Sequence, residues 1–198
     1  MATTRLKFLR YALLVTLCGG LLVEWARFRL TPSVERAAPA RAASMRDKLV
    51  GTWELVSAKD KMKDGSERFY PELGAHGKGY LVYTADGHMC VQLMNPDRPK
   101  WKAFDKPTDG EKISAIEGFS AYCGRYEVDE EKGVVVHLPE LAWSPNFVGT
   151  RQLRPYTLQN DTLTFAGKPL DEPEVESYSI TWKKAPTPGP SQLAPGKE

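Results

Sequence analysis

Residues 79–93 read Gly79-Tyr80-Leu81-Val82-Tyr83-Thr84-Ala85-Asp86-Gly87-His88-Met89-Cys90-Val91-Gln92-Leu93, two runs rich in Tyr, Val and Leu around Ala-Asp-Gly. Gly87 can take the positive φ that closes a three-residue loop, so the stretch predicts a tight β-hairpin with Thr84 opposite His88. Strand alternation then sorts the side chains. Leu81, Tyr83, Met89, Val91 and Leu93 share one face, apolar enough to bury; Tyr80, Val82, Thr84, His88, Cys90 and Gln92 share the other, which can meet water. A hairpin with one wet face belongs to an antiparallel sheet, and such a sheet with few helices closes into a barrel or a sandwich.

Working outward, a helical lead-in, Met45 to Lys48, precedes the strand Leu49 to Ser57, and Asp64-Gly65 turns the chain into a short strand, Glu67 to Tyr70. Beyond the hairpin, Pro96 to Pro107 reads as an irregular crossing. Asp109 to Phe119 has the start and spacing of one short helix, with Ile113 and Ile116 turned inward over an end of the barrel. Five further strands follow, Ala121 to Val128, Val134 to Leu138, Gly149 to Leu158, Thr162 to Phe165 and Glu176 to Trp182, with a loop from Pro139 to Pro145. The fold class is all-β, an antiparallel barrel of eight to ten strands with one short helix.

The 198 residues carry a net charge of +2, unevenly placed. Residues 1–45 hold 7 basic and 2 acidic residues, whereas 46–184 hold 19 basic and 22 acidic. The domain itself is slightly acidic, which argues against a nucleic-acid partner. Arg5, Lys7 and Arg10 followed by the apolar run Tyr11 to Val23 suit an export signal or an uncleaved signal anchor over residues 1–30, which would place the protein outside the cytoplasm or hold it at a membrane. A mitochondrial presequence is the rival. Residues 31–45 read as a linker, 46–184 as the barrel, and the proline-repeating 185–198 as a disordered tail.

Candidate site residues come from face assignment. Glu130-Glu131-Lys132-Gly133 has the form of a four-residue turn that pairs Val128 with Val135, and therefore Tyr126 with His137, facing the core. Counting back by twos from Leu158 puts Tyr156, Arg154 and Gln152 inside as well. Tyr83, Tyr122, Tyr126, His137, Gln152 and Arg154 then project into one lumen beside Met89. A buried arginine needs a partner, and these strands offer no inward acid. Either Arg154 anchors a ligand, or it stacks on Trp53 at the closed end. Cys90 and Cys123 point outward on neighbouring strands, where an oxidising compartment would let them cross-link.

At Gly51-Thr52-Trp53 the Gly-x-Trp on a first strand resembles the signature of lipocalin-type barrels, with Gly51 and Trp53 in structural roles. LVGTWELVS, GYLVYTADGHMCVQLMNPDRP, AYCGRYEVDEEKGVVVH and PNFVGTRQLR are similar to the blocks of the bacterial and fungal lipocalin-like domain family. The resemblance covers most of residues 47–184. It implies a barrel whose lumen suits a small hydrophobic or amphipathic molecule. Where secreted lipocalins place an arginine after the last strand, this chain carries Lys183 and Lys184.

The three histidines have no metal-ligand spacing, the three cysteines form no CxxC, and no nucleophile elbow, phosphate loop or dinucleotide fingerprint occurs. No cofactor or metal is expected. The leading expectation is binding or transport of a small hydrophobic or amphipathic ligand, with an anionic head as one form of it. One alternative is a cyclase or isomerase using Tyr126 and His137 as acid and base; another is an interaction barrel with a filled lumen.

Overall fold

A computed structural model describes residues 42–169 and 172–186 of the chain, so the leader and almost all of the tail lie outside the described residues. Two short helices and nine strands follow one another as α1 (Met45–Leu49), β1 (Gly51–Met62), β2 (Glu67–Phe69), β3 (Lys78–Tyr83), β4 (His88–Met94), α2 (Asp109–Glu117), β5 (Phe119–Asp129), β6 (Val134–Ala142), β7 (Gln152–Gln159), β8 (Thr162–Gly167) and β9 (Val175–Lys184). Every pairing is antiparallel, β3 through β9 run in sequential order, and β1 closes the barrel by pairing with both β3 and β9. Eight strands form the closed wall. The ninth, β2, extends it beyond β3 along the far end of β1.

The hairpin takes the register expected of it. Tyr83 faces Met89, Leu81 faces Val91, the Thr84 N–H donates to the His88 carbonyl, and Gly87 closes the loop at φ 98°. Leu81, Tyr83, Met89 and Val91 are buried in a core shared with Leu49, Trp53, Tyr122, Tyr126, Val135, Leu163, Phe165 and Trp182. On the outer face Cys90 sits directly opposite Cys123, with Cα atoms 4.1 Å apart, and the two form a disulfide.

Trp53 seals one end. Its indole N–H donates to the Leu49 carbonyl at 2.8 Å, which ties the barrel wall to α1. The Lys184 ammonium lies 5.1 Å from the Trp53 ring and donates to the Lys48 carbonyl at 3.0 Å. Lysine, not Arg154, therefore lies over the tryptophan, and Arg154 lines the cavity instead. Gly51 permits this approach: its φ is 131°, and a Cβ there would stand 3.2 Å from Lys184 Cε.

Two expectations need correction. Ile113 and Ile116 are 52% and 49% exposed, and α2 buries no residue. The helix is tied to the irregular crossing instead: Arg98 donates to the Ala115 carbonyl, the Trp101 indole to the Glu111 carbonyl, and the Lys102 N–H to the Glu111 carboxylate. These polar ties hold it beside the barrel, and no α2 residue lines the lumen. The expected loop after Leu138 is also partly strand, since β6 continues to Ala142. Pro139 lacks the N–H a regular ladder uses, and a register shift between Cys123 and Gly124 accommodates it. Gly124 is required opposite that irregularity, because a Cβ would collide with the Leu138 carbonyl oxygen.

Candidate functional site

Strict alternation on β7 builds the polar part of the site. Gln152, Arg154, Tyr156 and Leu158 turn inward while Leu153, Pro155, Thr157 and Gln159 face out. Pairing with β6 sets Arg154 opposite Val135 and Gln152 opposite His137. The Gln152 amide is held at both ends, donating through Nε2 to Thr150 Oγ1 at 2.9 Å and accepting from Arg154 at 3.4 Å. The Arg154 guanidinium also interacts electrostatically with the Tyr122 and Tyr178 side chains. Burial works against its charge, but these side chains outweigh that effect and keep the group above its ordinary range, so it stays cationic. Among the described residues it makes no ion pair with a carboxylate.

Behind Arg154 lies a chain of three neutral groups. His137 is 1% exposed, with Nε2 at 2.6 Å from the Tyr83 hydroxyl and Nδ1 at 2.8 Å from the Tyr122 hydroxyl. Burial, reinforced by the nearby Arg154 charge, pushes the imidazole well below its usual range; burial likewise raises both phenols. A histidine held neutral in the fold but free to protonate when unfolded removes stability as pH falls below the unfolded value. Above about pH 6.5 its contribution is fully present. Urea denaturation between pH 7 and 5 is therefore expected to show stability falling by up to about 1.4 kcal/mol per pH unit, a slope that His137→Gln abolishes. An unchanged slope in the variant would refute this assignment.

These groups open onto a cavity of about 650 Å³. Leu81, Val91, Leu93, Phe165, Ile180 and Trp182 supply much of its apolar wall, with Tyr70, Trp143, Phe147 and Tyr178 adding aromatic rings. Tyr122, His137, Gln152 and Arg154 line it. Tyr83 and Met89 are buried but do not line it, and neither does Tyr126, whose ring sits near the closed end with Arg46 5.3 Å from its centre. Tyr126 and His137 are backbone partners across β5 and β6, yet the Tyr126 hydroxyl donates to the Thr84 carbonyl at 3.0 Å. The acid/base pair considered from the sequence is not joined by a hydrogen bond.

Sequence reasoning missed Tyr178, Trp143 and Phe147. The first was within reach, since counting back by twos from Trp182 on β9 passes Ile180 and Tyr178. The other two sit around the turn that links β6 to β7, where no strand period applies; the Tyr122 and Phe147 rings meet at a tilt with centroids 5.0 Å apart, and those of Trp143 and Phe147 likewise at 5.3 Å.

Two similarities bear on this site. The model of a lipocalin-like domain family matches residues 50–185, which is the barrel from its first strand to the end of its last. The 4'-hydroxy-3'-methoxypropiophenone carrier protein of Aspergillus oryzae is 32% identical over 108 residues, covering 50% of this chain and 97% of that protein.

Proposed function

The chain belongs to the lipocalin-like domain family, and from that premise we propose that it binds and carries a small, largely apolar molecule whose oxygen-bearing or anionic head meets Arg154. One observation carries the reading: an apolar cavity of about 650 Å³ holds a guanidinium with no carboxylate partner among the described residues. Pockets of this size and lining, with a few convergent polar groups, suit ligands of a dozen or two heavy atoms. The ligand named for the related carrier, an aryl ketone with a phenolic ring, is of that class. The Tyr122, His137, Gln152 and Arg154 side chains form the head end, and Leu81, Val91 and Leu93 receive the body.

The two alternatives have less support. A filled lumen does not fit a cavity of this volume. Acid/base catalysis by Tyr126 and His137 lacks a free base, because the Tyr126 hydroxyl is held by Thr84 and both imidazole nitrogens are occupied. Work outside the cytoplasm, reached or anchored through residues 1–30, is part of the proposal; the Cys90–Cys123 bond supports an oxidising compartment.

Titration calorimetry of the full chain with 4'-hydroxy-3'-methoxypropiophenone and with decanoate tests the reading. Saturable 1:1 binding of at least one, with a negative heat-capacity change, is the expected result. No heat and no rise in melting temperature with either would overturn it.

A further inference from the structure

The direction of the buried hydrogen bonds around His137 restricts what the cavity can recognise. Tyr83 is 1% exposed, and among the described residues its hydroxyl has a single hydrogen-bond partner, His137 Nε2. A phenol has one hydrogen to place. If Nε2 carried the imidazole proton, the Tyr83 oxygen would accept it and the Tyr83 hydrogen would be left buried with no acceptor, an arrangement that folded proteins avoid. Tyr83 therefore donates to Nε2, and the neutral imidazole carries its proton on Nδ1. That N–H then donates to the Tyr122 oxygen 2.8 Å away. The Arg154 charge acts on the same hydroxyl. With the imidazole N–H on its oxygen and a cation beside it, the Tyr122 hydroxyl has its own hydrogen left to offer.

We propose that Tyr83 and His137 act as positioning residues that fix Tyr122 as a hydrogen-bond donor, so that Tyr122 and Arg154 form a donor-only subsite selecting ligands with an acceptor head: a ketone, carboxylate or phenolate. Tyr122 is 8% exposed and lines the cavity, so its hydrogen can reach a bound molecule. Of the neighbouring amide, the Gln152 carbonyl accepts from Arg154 and the NH₂ donates to Thr150, which leaves one lone pair and one N–H over. An amine or ammonium head would meet a cation and an unsatisfied donor, and a hydrocarbon would leave both donors dry and unpaired.

This inference rests on the carrier reading, and the experiment separates the two. Benzophenone and diphenylmethane differ only in a carbonyl against a methylene, so calorimetry of the full chain with both isolates the head group. The ketone should bind about tenfold tighter or better, although the hydrocarbon is the more apolar of the two. In Tyr122→Phe the preference should shrink several-fold. Long-range ¹H–¹⁵N spectra of the wild-type imidazole give a readout that needs no variant: Nδ1 should carry the proton. An Nε2-protonated His137, or hydrocarbon bound as tightly as ketone, would overturn the inference while leaving the carrier reading standing. Binding of neither probe, nor of the ligands tried above, would overturn both.

Discussion

Arg154→Met is expected to weaken binding of decanoate, or of another anionic ligand, by about 2–4 kcal/mol, the size associated with removing one partner of a desolvated charge pair. The ligand-free protein should melt close to the wild type. Those two outcomes are linked by the geometry. The guanidinium is held in the lumen by Gln152, Tyr122 and Tyr178 with no carboxylate among the described residues. Its charge is thus held there by groups that carry no countercharge, and a bound anion supplies one. Methionine keeps much of the stem's packing and removes the charge. Melting curves with and without decanoate check both halves at once. A large fall in the ligand-free melting temperature, or an unchanged response to decanoate, would contradict the anchor role.

At the other end of the barrel, Trp53→Ala is expected to cost about 3–5 kcal/mol of unfolding free energy, the range for deleting a large aromatic side chain from a packed core. Trp53 is fully buried, and its loss also removes the donor to Leu49 and the ring that Lys184 covers. Two ties fail together, one from the first strand to the first helix and one from the first strand to the last. Urea denaturation measures the change; a loss below about 1 kcal/mol would show that the end is sealed by something else.

The barrel was legible because its strands alternate cleanly. The hairpin at Thr84 to His88 and the turn before Val134 each fix a register by loop length and glycine placement, and with it the facing of Tyr83, Tyr126 and His137. Alternation on β7 was enough to bring Arg154 and Gln152 inside. The same reasoning paired Cys90 with Cys123. It failed where a period was read into a segment held by polar contacts. Apolar spacing at Ile113 and Ile116 implied a buried helix face, whereas Arg98, Trp101 and Lys102 hold α2 through its carbonyls and the Glu111 carboxylate, which no hydropathy pattern reveals.

The site itself was half legible. Facing placed four of its polar residues, but facing says nothing of depth along the barrel. Tyr83, Met89 and Tyr126 point inward beside the others and sit outside the cavity. Depth depends on the tilt of the strands and on what plugs the closed end, here Trp53 under Lys184. Where secreted lipocalins place an arginine after the last strand, the sequence offered Lys183 and Lys184 without saying which would reach the core, and it is Lys184 that covers the Trp53 ring. The hydrogen bonding was equally hidden: the sequence shows two tyrosines near a histidine, and only the structure shows which ring nitrogen each phenol meets.

The central claim is that a small molecule occupies the cavity with its head at Arg154 and Tyr122. Methyl-resolved NMR of the full chain, labelled at Leu, Val and Ile and titrated with decanoate, tests it most directly. The account predicts saturable shifts at Leu73, Leu81, Val91, Leu93 and Ile180, together with contacts between ligand and Tyr122, while Ile113 and Ile116 on the exposed helix stay unmoved. Shifts confined to Ile113, Ile116 and Val148, or no saturable shift at the cavity methyls, would contradict it.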